Sequence, residues 1–156
     1  MRMKDTAISI LKILEEAPGP VSGERIAEQL GITRSAVWKQ VRELRRLGYS
    51  IVSSRAEGYR LESTSGKLLP YEIHKRLRTR LIGKQIRHFD RTASTSWIAK
   101  QLASETDPEQ LHGMVIIAEE QTGGVGRLGR AWVSPAGGIW ITIILKPKIP
   151  IDHLFM

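Results

Sequence analysis

Between Asp5 and Glu16, Ile8, Leu11 and Leu14 recur at helical spacing with Ala7 and Ile10 beside them, which predicts an amphipathic helix. Pro18-Gly-Pro20 stops it. Ser22 then stands as an N-cap for a short second helix, with Glu24 and Glu28 on its polar side, Ala27 and Leu30 on its apolar side, and Gly31 at its end. Thr33 caps a third helix from Arg34 to Leu47, on which Val37, Val41 and Leu44 make the buried stripe and after which Gly48 is the stop. Tyr49–Ser53 alternates as a strand does, Glu57-Gly58 turns, and Tyr59-Arg-Leu61 returns. Three helices and a two-stranded wing predict a winged helix-turn-helix over residues 1–63, with Trp38 and Tyr59 as packing residues.

The polar stretch Glu62–Lys67 has no periodicity, so residues 64–69 are expected to be a linker and 70–156 a second domain. There Pro70 is expected to start a helix through Leu77, with Leu81-Ile82 packing beneath it, and Gln85–Phe89 to form a strand. Thr92–Ser96 is rich in hydroxyls and can cap a helix from Trp97 to Ser104 through Ser94, Thr95 or Ser96. Met114–Ala118 and Ile139–Leu145 are short, rich in β-branched residues and bounded by turn signals, so both read as strands. Helices and strands alternate in an α+β or α/β manner.

Charge sharpens the first domain. The formal net charge of +8 and the pI near 10.1 favour a polyanionic partner. From Thr33 to Gly48 there are five basic residues (Arg34, Lys39, Arg42, Arg45 and Arg46) against the single acid Glu43. A capped helix start with this charge suits the major groove, where Thr33 opens the helix and Arg34 and Ser35 can meet base edges or phosphates. Lys39, Arg42 and the wing residue Arg55 are expected on phosphates, which position without reading sequence. The absence of cysteine excludes disulfides, thiol catalysis and zinc–thiolate sites. Neither a signal-peptide-like start nor a run of membrane-spanning length is visible, so a soluble, cytoplasmic protein without a membrane partner is expected.

The candidate chemistry lies between the two apolar strands. Gly123, Gly124, Gly126, Gly129, Arg127 and Arg130 fall within eight consecutive residues. Glycines leave backbone N–H groups unobstructed and arginines add fork-shaped cationic donors, a combination suited to an anionic, phosphate-bearing ligand. No Gly-Lys-Ser/Thr follows, and the segment after Trp132 reads as strand, so neither a Walker loop nor a Rossmann fingerprint is present.

Taken together, "STS" before a helix, "VIIAEEQTGGVGRLGRAW" and "SPAGGIWITIIL", behind a winged helix carrying "GITRSAVWKQVRELRRLGYSI", resemble the bifunctional biotin–protein ligases that also repress biotin genes. The resemblance covers nearly the whole chain. It implies an α+β architecture, in which the winged helix precedes the first part of a class II synthetase-like catalytic domain. It also implies a two-step activity, with biotin and ATP forming biotinyl-5′-adenylate before transfer to a lysine of a carboxylase's biotin carboxyl carrier domain. Mg²⁺ is expected with the ATP and no metal held by the protein itself. By the same resemblance Ser94, Thr95, Ser96 and Gln121 surround biotin's fused-ring head, and Gly124, Val125, Gly126 and the catalytic Arg127 cover its carboxylate and the phosphate. Arg130 helps hold that loop or the triphosphate, and Trp132 packs near adenine. The adenylate would also act as corepressor, promoting a homodimer on operator DNA.

Three departures from the family pattern stand out. Ser96 replaces an asparagine, Val125 replaces the first loop arginine, and Leu128 follows Arg127 where another arginine is frequent. The sequence also ends before the family's Lys-Trp-Pro-Asn-Asp segment, so weak ligase activity is expected of this polypeptide alone. The other reading is a DNA-binding regulator that senses biotin or its adenylate without catalysis. A lipoate-ligase relative would share the fold but leave the winged helix unexplained.

Overall fold

A computed structural model describes residues 3–54 and 56–147. The chain divides into two compact units at Tyr71/Glu72.

In the first unit α1 (Asp5–Glu16), α2 (Gly23–Leu30) and α3 (Arg34–Arg46) are followed by a hairpin of β1 (Ser50–Ser54) and β2 (Gly58–Ser63). The caps are those the sequence announces. Ser22 accepts from Arg25 N at 3.1 Å, and Thr33 Oγ1 from Ala36 N at 3.2 Å. Gly31 ends α2 in the left-handed region, φ 62°, which a residue with a Cβ adopts only under strain. Ile10, Leu11, Ile26, Val37, Val41 and Leu44 are fully enclosed and form one core with Tyr49 and Ile51. Val21 pairs with Tyr59 through reciprocal 2.8 Å backbone bonds, which adds a third short strand segment to the wing.

Three details differ from expectation in this unit. Residues 64–69 pack onto this core instead of spacing it from the next. Leu69 is buried and the enclosed Ser65 hydroxyl donates to Leu47 O at 2.7 Å, because an apolar side chain and a satisfiable hydroxyl are both better placed against the core than in water. Tyr71 OH likewise donates to Glu15 at 3.0 Å. Trp38 lies on the surface at 47% exposure, with the Arg42 guanidinium over its ring at 4.7 Å, whereas Tyr59 does pack on the core.

The second unit is built on a three-stranded sheet in the order β3 (Ile86–Phe89), β4 (Val115–Ala118), β7 (Trp140–Ile143). The β3–β4 pair is parallel and the β4–β7 pair antiparallel, with Phe89 opposite Ala118 and Ala118 opposite Trp140. All four residues of the central β4 are buried, which explains its unbroken apolar run. The helix α4 is only Pro70–His74, shorter than the span to Leu77. Arg76 and Leu77 donate back three residues instead of four, and the chain closes a loop by a 2.8 Å bond between His74 Nε2 and Gly83 O. Leu81 is exposed, not buried beneath that helix. α5 (Thr95–Glu105) follows β3, and the single turn α6 (Pro108–Leu111), capped by Asp107, precedes β4.

The glycine-rich stretch is not a loop between β4 and β7. It is an antiparallel hairpin of its own, β5 (Gln121–Val125) and β6 (Ala131–Ser134), joined by a 3₁₀ turn at Arg127–Gly129. Glycine supports such close pairing because a Cβ on Gly124 would lie 2.5 Å from Trp132 O. Among the described residues no helix is long and apolar enough to cross a membrane.

Candidate functional site

At the C-terminal ends of β3 and β4 the chain makes two successive turns toward the same place. After β3 it runs through Thr92 and Ala93 into the start of α5. After β4 it runs through Glu119 and Glu120 into β5. Backbone bonds clamp the two segments together: Thr92 N to Glu120 O at 3.1 Å, Thr122 N to Thr92 O at 2.9 Å and Gly123 N to Ala93 O at 2.8 Å. Beneath them the enclosed His88 on β3 meets Glu119 through Nε2 and Oε1 at 2.7 Å.

The result is a cleft of about 240 Å³. Ser94, Thr95 and Ser96 line it from the N-terminus of α5, Gln121, Gly124, Val125, Gly126 and Trp132 from the hairpin, and Ile139, Trp140 and Ile141 from β7 and the residue before it. Serines, a backbone rich in glycine and two indoles give it both polar anchors and flat apolar walls, the mixture expected where an amphipathic small molecule is held.

Side-chain hydrogen bonds fix the cleft's inner wall. The Gln121 Oε1 accepts from Thr95 N at 2.8 Å and from Thr95 Oγ1 at 3.0 Å, while its Nε2 donates to Ser134 Oγ at 3.2 Å. Thr142 Oγ1 donates to Thr95 Oγ1 at 2.9 Å and is 3.2 Å from Ser96 Oγ. One glutamine thus ties α5 to the hairpin, and one threonine ties α5 to β7. Ser94, one of the three hydroxyl residues open as caps, is the residue that serves: its side chain accepts from Trp97 N.

Of the residues singled out from sequence, Ser94, Thr95, Ser96, Gln121, Gly124, Val125, Gly126 and Trp132 come together here. Arg127 and Arg130 do not line the cleft; both are exposed at the hairpin turn, where Gly126 N donates to Arg130 O at 2.7 Å. Thr142, Ser134 and Trp140 were missed. The available signal for the first was a lone hydroxyl within the apolar strand Ile139–Leu145; which partners it meets follows only from the fold. No three His, Cys, Asp or Glu side chains converge as a metal site among the described residues.

On the first unit Arg34, Ser35, Trp38, Lys39 and Arg42 form one exposed stripe along α3, at helical spacing. Thr33 is committed to its cap and lies 2.9 Å from Ser35 Oγ. The remaining basic residues of the helix are used within the fold. Arg45 Nε donates to Ile51 O at 2.8 Å and its Nη2 to Ser53 Oγ at 3.1 Å, pinning the wing, and Arg46 pairs with Glu43. Arg55 lies outside the described residues.

Comparison with known proteins divides the chain in the same way. Residues 6–60 match the model of an HTH domain, and residues 88–155 that of the Biotin/lipoate A/B protein ligase family. The chain is 41% identical over 133 residues to the bifunctional ligase/repressor BirA of Bacillus subtilis, covering 85% of this chain and 40% of that protein. Against the protein of the same name from Escherichia coli it is 32% identical over 138 residues, 86% of this chain and 40% of that one. It is also 33% identical to the human biotin–protein ligase over 87 residues, 55% of this chain and 12% of the human protein. The chain therefore spans about 40% of the length of the bifunctional relatives it matches. It thus carries an HTH domain followed by a segment that matches the Biotin/lipoate A/B protein ligase family, and it is similar over most of its length to the bifunctional ligase/repressors named above.

Proposed function

We propose that this chain provides the DNA-binding head and the biotin-binding wall of a biotin–protein ligase that also represses transcription, acting in the cytoplasm. The observation that carries the reading is the convergence of Ser94–Ser96, Gln121, Gly124–Gly126 and Trp132 on one cleft. The names of its relatives and the ligase-family match support the choice of biotin and of ligation.

In this reading the hydroxyls of Ser94 and Ser96 and the amide of Gln121 face biotin's ureido ring, and Trp140 and Ile141 pack on its apolar parts. A biotin carboxylate oxygen attacks the α-phosphorus of ATP, the bond to the bridging oxygen breaks, and pyrophosphate leaves with its Mg²⁺. The amine of a carrier-domain lysine then attacks the acyl carbon, AMP departs and the amine loses a proton. Arg127 and Arg130 lie on the hairpin turn, so their part is taken when that turn folds over the ligand. Guanidinium groups brought to the carboxylate and α-phosphate would offset the charge developing there and exclude water from the anhydride. Trp132 supplies a flat face for adenine.

For the head, the exposed Arg34, Lys39 and Arg42 carry a basic stripe suited to a DNA groove, with Arg45 holding the wing in place. Adenylate-dependent dimerisation would place two heads on an operator with two half-sites. The deciding experiment titrates biotin into the protein with and without ATP while pyrophosphate is monitored. Turnover supports the ligase; binding of biotin with no pyrophosphate supports the regulator that senses without catalysis; absence of binding removes both.

A further inference from the structure

The largest concentration of charge in the chain is not on α3. Between Ile73 and Phe89 lie six Lys or Arg residues and no Asp or Glu, a formal +6 against +8 for the whole chain. Lys75 is within 4.0 Å of Glu72, whereas Arg76, Arg78, Arg80, Lys84 and Arg87 are exposed and make no ion pair among the described residues. The loop that carries most of them is short and closed. His74 Nε2 meets Gly83 O, Thr79 Oγ1 donates to Ile82 O, and Gly83 N donates to Gly113 O at 2.8 Å. Its less exposed side chains, Leu77 and Ile82, alternate with the cations, and the Leu77 side chain lies against Gly83. Like charges held this close repel one another, and a polyanion offsets that cost.

Position in the sheet decides between partners. The loop leads into the N-terminal end of β3, whereas the cleft opens at the C-terminal ends of β3 and β4. A protein delivering a lysine to the cleft would have no reason to rest on the opposite end of the sheet. A phosphate backbone needs no access to the cleft, and arginine, four of the six cations, is the residue suited to it.

We infer that the loop 75–84, with Arg87, is a second DNA-contact surface that grips the phosphate backbone without reading sequence. The inference extends the DNA-binding half of the function proposed above and is independent of its ligase half. The test follows binding of the protein to a fluorescein-labelled duplex by anisotropy, at several salt concentrations between about 50 and 200 mM. The triple variant Arg76→Gln, Arg78→Gln, Arg80→Gln should lower the slope of log Kobs against log salt by about two to three, since each lost phosphate contact removes about 0.9. Binding should weaken at least about tenfold on cognate and random duplexes alike. The corresponding triple lysine variant should restore the wild-type slope, and a charge-matched control, Lys4→Gln, Lys12→Gln, Lys100→Gln, should keep it. A triple-glutamine slope equal to wild type, or an equal fall in the control, overturns the inference while leaving DNA binding by α3 intact. So does a triple variant that loses affinity only for an acidic carrier domain. Failure of the wild-type protein to bind any duplex removes the head's reading as well.

Discussion

Replacing Gln121 by alanine removes the acceptor that holds the first turn of α5. Thr95 is 3% exposed, and its N–H and hydroxyl both donate to Gln121 Oε1. The two losses are unequal. The hydroxyl can reverse its bond to Thr142, which can turn its own proton to Ser96 Oγ at 3.2 Å. Among the described residues the N–H is seen to bond only Gln121, and an unmade buried hydrogen bond costs about 1–3 kcal/mol. With about 2 kcal/mol lost, and about 4–8 °C per kcal/mol for a unit of this size, the second unit's thermal transition should fall by about 10 °C. Gln121→Glu keeps the acceptor for both Thr95 donors and exchanges the donor to Ser134 for a second carboxylate oxygen that can accept from Ser134 Oγ. The exchange costs a charge on a half-buried side chain, so its fall should be smaller than that of the alanine variant. Scanning calorimetry of the three proteins reads this directly. Equal transitions for wild type and Gln121→Ala, or a glutamate variant as unstable as the alanine, would refute the claim that the oxygen of Gln121 holds α5.

Other expectations follow from the same geometry. Gly124→Ala places a methyl 2.5 Å from Trp132 O and 2.7 Å from Ser134 Oγ, so the hairpin must part; calorimetric titration should show biotin affinity reduced at least about tenfold, with about 1–3 kcal/mol of stability lost. Leu44→Ala empties a fully enclosed position among the head's helices and should cost the head about 2–5 kcal/mol by denaturant unfolding. Arg45→Ala removes two bonds that hold the wing to α3, and DNA affinity measured by anisotropy should fall. Trp38→Ala removes the platform under Arg42, worth about 0.5–1 kcal/mol at an exposed site, and should weaken duplex binding about two- to fivefold.

The head was legible because its signals are local. Ser22, Thr33 and Gly31 cap helices by contacts within a few residues, and the stripe Val37, Val41, Leu44 reports its own buried face. The second unit was legible as a set of strands but not as a sheet. Nothing local distinguishes a glycine loop joining β4 to β7 from a separate hairpin, because the difference lies in Trp132 pairing with Gly124 across the turn. The same limit hid Thr142 and Ser134, whose importance comes from meeting Thr95 and Gln121 on other elements. Leu69 and Ser65 looked like linker because Leu68-Leu69 is too short an apolar run to show a period, and the acceptor of the Ser65 hydroxyl, Leu47 O, is 18 positions away. The exposure of Arg127 and Arg130 has its own logic. In the function proposed above the turn folds over the ligand, which requires both arginines to be exposed before the ligand arrives.

The central claim is that the cleft between α5, the hairpin and β7 takes biotin and its adenylate. Amide hydrogen exchange over Gly123–Arg130, with and without saturating biotinyl-5′-adenylate, tests it most directly. The account predicts that exchange across this hairpin slows by at least about tenfold on binding while the α3 amides are unchanged, and that Arg127→Gly abolishes the slowing. Exchange over Gly123–Arg130 that is the same with and without the adenylate would contradict it.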